Sequence, residues 1–221
     1  KGKPHDDRHT LLTEAVSFNA IQCVQLLLSE GQVDPNVKDK WGNTPLLMAV
    51  KGNKKEIVQM LLSDERIDPN LKNGFGDTPL LEAVITNAIE CVQLLLNCCK
   101  IDPSLTDGHR RTSLMMAVWD NNKEIAAVLL KDGRVDPNVR DPFGETSLFK
   151  AIRRSTNAWM LICDNRSEKS RIECVKLLLS DDRVDPNIKN NLNESPLLFA
   201  AKAKEEECMK LLLSDIRVDP N

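Results

Sequence analysis

The chain has 221 residues, is 41% hydrophobic and 29% charged, and carries a net charge of −3. This is ordinary globular composition, enough for one large or two small domains. With 30 basic against 33 acidic residues, nothing selects for nucleic acid or an anionic membrane. No apolar run reaches the ~18 residues of a membrane span, the opening KGKPHDDRHT lacks the apolar segment of a secretory signal, and seven cysteines, an odd number, read as reduced thiols of a cytoplasmic or nuclear protein.

One pentapeptide punctuates the chain: QVDPN at 32–36, RIDPN at 66–70, KIDPS at 100–104, and RVDPN at 134–138, 183–187 and 217–221. Its Asp recurs at 34, 68, 102, 136, 185 and 219, so four gaps are 34 residues and the fifth is 49. In the same phase come Thr44, Thr78, Thr112, Thr146 and Ser195, then Ala49, Ala83, Ala117, Ala151 and Ala200. One period earlier, Thr10 and Ala15 mark a first repeat. The expected units are 1–36, 37–70, 71–104, 105–138, 139–187 and 188–221, filling the chain as a single domain. The fifth carries a 15-residue insertion within 153–169.

Each unit predicts two short helices. Thr44 is a helix N-cap, and Pro45 follows at the first helical position, where its missing N–H does no harm. Asn19, Asn53, Asn87 and Asn121 occupy the turn between helices, because Asn tolerates the left-handed conformation that ends a helix. Each precedes an acid or amide by three residues, and Ser170 precedes Glu173 likewise, which predicts capping boxes. The second helix presents an apolar face such as Ile57, Val58, Leu61 and Leu62. Helices this short must pack on their neighbours, which makes a solenoid. Asp-Pro-Asn fits a type I turn where the chain leaves the second helix, so its six aspartates are hinge pins.

A repeat near this length, with a turn, two helices and T-P-L opening the first, resembles the ankyrin repeat over essentially the whole chain. KWGNTPLLMAVKGNKKEIVQMLL at 40–62 carries the likeness most fully. The chain departs from that family at the His that commonly follows T-P-L, here Leu, Met or Phe, and at the inter-helix Gly, here Asn. The resemblance implies an all-α solenoid of six helix-turn-helix units with projecting fingers and a concave groove. It further implies a protein or peptide partner, no catalysis and no cofactor. Composition equally fits an intramolecular spacer or regulatory region of a larger channel, effector or enzyme.

Candidate sites follow from phase. Cys23, Cys91, Cys174 and Cys208 share one second-helix position with Ile57 and Ile125, which predicts small buried hydrophobes rather than metal ligands. At the finger tips stand Trp41, Phe75, His109, Phe143 and Leu192 among polar neighbours. Two readings stand: an exposed binding ladder, or rings lying flat on the next finger to support the stack. First helices end towards the groove at Ile85, Trp119, Arg153 and Arg154, and the later repeats turn basic. A partner with an apolar anchor and an acidic flank fits that gradient. Inside the insertion, Trp159 continues a helical stripe from Leu148 and Ile152, which predicts that both helices of the fifth unit lengthen by about two turns. The sixth unit is as apolar as the internal ones, with Leu197, Leu198, Phe199 and Met209, which predicts a longer array or self-association through its open end.

Overall fold

The computed structural model describes residues 11–153 and 168–220. Among these residues lie 12 α-helices and no strand. They pack as two compact halves, one within residues 1–108 and one within 109–221. The first half holds α1 (Leu11–Ser17), α2 (Ile21–Ser29), α3 (Pro45–Lys51), α4 (Lys55–Ser63), α5 (Pro79–Ile85) and α6 (Ile89–Asn97). The second holds α7 (Ser113–Trp119), α8 (Lys123–Lys131), α9 (Ser147–Ile152), α10 (Glu168–Leu179), α11 (Pro196–Lys202) and α12 (Glu206–Ser214).

First helices start where the sequence says. The Thr44 hydroxyl accepts from Leu47 N at 3.2 Å, Thr78 from Leu81 N at 3.3 Å, and Ser195 from Leu198 N at 3.2 Å. Thr146 is the exception: its buried hydroxyl, like that of Ser113, has no hydrogen-bond partner. The turn residues Asn19, Asn53, Asn87 and Asn121 all have φ between 49° and 56°. Around Asn53 the amide of Asn53 reaches Val50 O and that of Lys54 reaches Ala49 O, both at 2.9 Å, so two helix-end carbonyls are satisfied. The recurring alanine beneath is fully buried at Ala49, Ala83, Ala117, Ala151 and Ala200.

Three expectations need correction. The predicted N-caps are displaced at Asn53 and Asn87: the left-handed Asn lies one residue outside the cap position, and Lys54 or Ala88 is the N-cap, without a side-chain cap bond. In the fourth repeat Asn122 is the N-cap and its side chain accepts from Ile125 N, and Ser170 lies inside α10. Cys91, Cys174 and Cys208 are buried, but Cys23 is exposed. This position faces the preceding repeat (the Cys91 thiol sits 3.4 Å from the Asn53 side chain), and no described repeat precedes Cys23. Finally, α9 is not lengthened: it ends at Ile152, and Arg153 is extended at φ −65° and ψ 128°. The buried Arg171 guanidinium takes the freed Ile152 carbonyl at 2.8 Å. Beyond it, α10 has 12 residues where the other described second helices have nine. Arg154, Trp159 and the rest of the insertion's stripe beyond Ile152 lie outside the described residues.

The pentapeptide is a hinge pin and also a stitch. Asp34 accepts from Asn36 N at 2.9 Å, closing the turn. The Asn36 side chain then bonds the next repeat twice, donating to Arg66 O at 2.8 Å and accepting from Asp68 N at 2.9 Å. Asn70, Asn138 and Asn187 repeat this pair. Ser104, too short for it, turns its hydroxyl onto its own Asp102 at 2.6 Å. The pentapeptide's Arg reaches back. Arg66 donates to Leu28 O, Gly31 O and Val33 O, capping the preceding second helix, while Asp64 holds its other edge at 2.6 Å. Arg217 does the same to Leu179 O and Val184 O, held by Asp215.

Candidate functional site

Each finger is shaped by an Asp or Asn five residues after the pentapeptide's Asp. In the fourth-to-fifth connection this is Asp141, whose Oδ1 accepts from Phe143 N and Glu145 N, both at 2.9 Å. Asp39, Asn73 and Asn190 hold their own tips in the same way. A two-residue-on bond of this type bends the chain sharply and leaves the intervening side chain outside the turn. Fingers join through backbone: Gly74 N donates to Trp41 O at 2.8 Å, and Asn191 N to Phe143 O at 2.9 Å. Gly42 is required here, since its φ is +80° and a Cβ would stand 2.7 Å from Gly74 N.

With backbone doing the joining, the rings stay in solvent. Phe75 is 72% exposed, Phe143 69% and Leu192 77%, and Trp41 and Ile85 are also exposed. In the first half these groups lie on the open surface, with the Lys40 ammonium 4.3 Å from the centre of the Trp41 ring.

The second half is different. Between two of its fingers and the first helices behind them lies a pocket of about 290 Å³. One wall is the α7 face, Met115, Met116 and Trp119. The other is Phe143 with Asp141 and Lys150, and His109 and Arg111 form a rim. Lys150 sits at the base with its side chain only 9% exposed. Its ammonium meets Asp141 Oδ2 at 2.5 Å and Glu145 Oε2 at 2.6 Å. The same nitrogen lies 5.9 Å from the Trp119 ring centre and 5.8 Å from that of Phe143, within cation–π range of both. Arg153 pairs with the other oxygen of Glu145, and its guanidinium carbon rests 5.0 Å from the Phe199 ring centre. Phe199 meets Phe149 edge-on at 5.5 Å. In the next finger Glu194 is hydrogen-bonded by Lys202 and by Asn190, which hold its carboxyl below the usual Glu range.

Sequence phase therefore found His109, Phe143 and Trp119, which the structure brings to one pocket, and Arg153, which joins through Glu145. Leu192 stands on the next finger outside the lining. Trp41, Phe75 and Ile85 belong to the first half. The residues missed were Asp141, Glu145, Lys150, Met115 and Met116. Lys150 had a readable signal: its repeat position otherwise holds Glu14, Met48, Glu82, Met116 and Phe199. The buried cysteines are poor nucleophiles, since burial raises the pKa of Cys91 and pushes that of Cys174 up to about 12. No helix among the described residues is long and apolar enough to cross a membrane.

Comparison with known proteins agrees with this architecture. Residues 65–141 and 114–221 match the family described as ankyrin repeats (3 copies), residues 27–83 ankyrin repeats (many copies), and residues 7–40 the single ankyrin repeat. No curated protein sequence matches significantly. Among solved structures, the ankyrin repeat protein EF0377 superposes with a TM-score of 0.79 at 27% identity, over 92% of this chain and 96% of its own. An ankyrin repeat domain from Acinetobacter baumannii, ABAYE2397, gives 0.78 at 26%, over 91% and 95%. A chain in the complex of the predatory endopeptidase Bd0816 of Bdellovibrio bacteriovorus with the immunity protein Bd3460 gives 0.70 at 27%, over 91% and 96%.

Proposed function

The chain belongs to the ankyrin repeat family, and from that premise we propose that it is a non-catalytic protein-interaction module whose second half seats an apolar side chain of a partner protein. The observation that carries this reading is the pocket between Trp119 and Phe143, with Met115 and Met116 on one wall, the ion pair of Asp141 and Lys150 beside Phe143 on the other, and His109 and Arg111 at the rim. Protein interfaces concentrate their binding energy where a large side chain enters a desolvated pocket ringed by polar groups. The described charged side chains here are engaged in positioning one another, as Lys150, Glu145 and Arg153 are. That is the work of a shaped surface. The likeness to a chain in the endopeptidase–immunity protein complex supports the same reading. The odd cysteine count, read as reduced thiols, keeps a cytoplasmic or nuclear setting as part of this proposal.

The test is selection of a displayed library of random short peptides on the wild-type protein and on the variant Trp119→Ala with Phe143→Ala. Peptides enriched on the wild type should share one large apolar residue and should lose at least about a hundredfold in affinity on the variant. The variant's helical circular dichroism should be retained. Enriched peptides that bind both proteins equally would show that the pocket is not the site.

A further inference from the structure

We infer that Glu82, in the first half, is the receptor for a basic side chain, Lys or Arg, of a partner protein. This site is separate from the pocket at Trp119 and Phe143 and does not rest on it. Glu82 lies on α5 and is only 7% exposed. Its backbone carbonyl is engaged by the Thr86 amide at 2.9 Å and the Thr86 hydroxyl at 2.7 Å. Among the described residues, no donor or cation bonds its carboxyl. A carboxyl held this deep costs free energy unless it is hydrogen-bonded or paired. The fully enclosed side-chain atoms left without a partner are Ser113 Oγ and Thr146 Oγ1. The Glu82 oxygens are not among them, so they keep an opening to the surface. The same repeat position holds Met116 and Lys150, and both line the pocket of the second half.

The surroundings select the sign of the occupant. Lys150 shows that a side chain at this position reaches the finger folded over it, where its ammonium meets Asp141 and Glu145. The matching finger positions beside Glu82 are Asn73 and Asp77. Asn73 spends its side-chain oxygen on the amides of Phe75 and Asp77. Asp77 brings a second negative charge, which adds to burial in disfavouring the Glu82 carboxylate. Lys51, exposed at the end of α3, opposes that without pairing with Glu82. An anionic occupant would therefore meet two acids, and an apolar one would leave the carboxyl unsatisfied. A cation satisfies it. Phe75, on the same finger, and Ile85, three residues along α5, are exposed, and they offer apolar surface to the aliphatic stem of Lys or Arg.

The experiment selects displayed random peptides on the whole chain carrying Trp119→Ala and Phe143→Ala, so that the second-half pocket cannot contribute. Enriched peptides should share a Lys or Arg. The strongest is remade by synthesis with an acetylated N-terminus and a fluorophore, its basic position as Lys, Arg, Gln or Glu, and affinity is read by fluorescence anisotropy. The basic forms should bind roughly tenfold more tightly than the Gln form, as expected for a charge-assisted hydrogen bond at a partly buried acceptor. The Glu form should bind most weakly. Adding Glu82→Gln, which keeps the shape of the side chain, should bring the basic and Gln forms to equal affinity, with helical circular dichroism retained. Adding Lys51→Gln instead should widen the basic-over-Gln ratio, because it removes a like charge facing the incoming cation. A basic-over-Gln ratio unchanged by Glu82→Gln would place the contact on another acid and overturn the inference. A library that yields no peptide dependent on Glu82 overturns it as well, and neither result bears on the pocket at Trp119 and Phe143.

Discussion

Glu82 and Lys150 occupy the same position of their repeats, and they meet opposite fates. Each lies on a first helix, α5 or α9, and each is more than nine-tenths buried, at 7% and 8% exposure. Lys150 is held by two carboxylates its own finger supplies, Asp141 and Glu145. In Glu82's repeat the matching finger positions are Asn73 and Asp77, an amide and a second acid. Burial therefore pushes the Glu82 pKa above the usual Glu range, Lys51 opposes that, and Asp77 reinforces it. The position itself tolerates Met in two other repeats, Met48 and Met116. What the helix position accepts is thus decided by the finger that folds over it, a few residues earlier in sequence. A charge here is neutral for folding only when the finger brings its counter-charge.

The sharpest way to break this comparison is to remove the ammonium. Lys150→Met leaves Asp141 and Glu145 facing each other with one partner gone, and should cost about 3–5 kcal/mol in chemical denaturation. Converting Asp141→Asn and Glu145→Gln in the same chain should recover much of that loss. A denaturation midpoint unchanged by Lys150→Met would mean that the two carboxylates do not depend on it.

The opposite effect is expected at the opposite charge. Glu82→Met should stabilise by about 1 kcal/mol at neutral pH, because it removes a buried carboxylate whose burial Lys51 offsets only in part. The sign follows from the shift. A carboxyl whose folded pKa is raised stabilises the protein below its unfolded pKa, and that contribution is lost as pH rises through the folded value. The advantage of Glu82→Met should therefore be present at neutral pH and vanish as pH drops through and below the Glu range. An advantage constant from pH 4 to 7, measured by thermal melting, would trace it to packing alone.

The smallest effect separates the two finger tips. Phe75 and Phe143 are similarly exposed, but only Phe143 has a described ammonium beneath it. Phe75→Ala should shift stability by less than about 0.5 kcal/mol. Phe143→Ala should cost about 0.5–1 kcal/mol more, the scale of a partly buried cation–π contact. Equal melting temperatures for the two variants would remove that contact from the description.

Much of the scaffold was legible because its determinants are local. Thr44 with Pro45 starts a helix, Asn53 ends the turn after it, and Asp34 closes its own turn two residues on, and each needs only neighbours in sequence. The candidate site was legible in part. Phe143 and Trp119 stood out as apolar residues in polar or groove-facing phase, and phase alone told that they were presented. It could not tell that the rings would flank a single ammonium. Asp141 was invisible for another reason: its first duty, holding the amides of Phe143 and Glu145, is shared by Asp39, Asn73 and Asn190, so nothing in the pattern marked it as a partner of Lys150. Arg153 was read at a groove-facing phase and is found paired with Glu145, but the end of α9 beside it was not foreseen, because the carbonyl left at Ile152 is taken by Arg171, 19 residues on in sequence.

The sequence by itself therefore determined the period, the helix pairs, the left-handed turns and the turns of the Asp-Pro-Asn hinge, since each is a short-range pattern repeated in fixed phase, whereas the stitches from Asn36 to Arg66 and Asp68 came only with the fold. Only the tertiary structure decided which exposed rings share a pocket and which buried charges have partners. Those outcomes depend on distances between finger and helix of a few ångströms. At that range a carboxylate beside Lys150 and an amide or acid beside Glu82 turn the same repeat position into a satisfied ion cluster or a carboxyl whose ionisation burial disfavours.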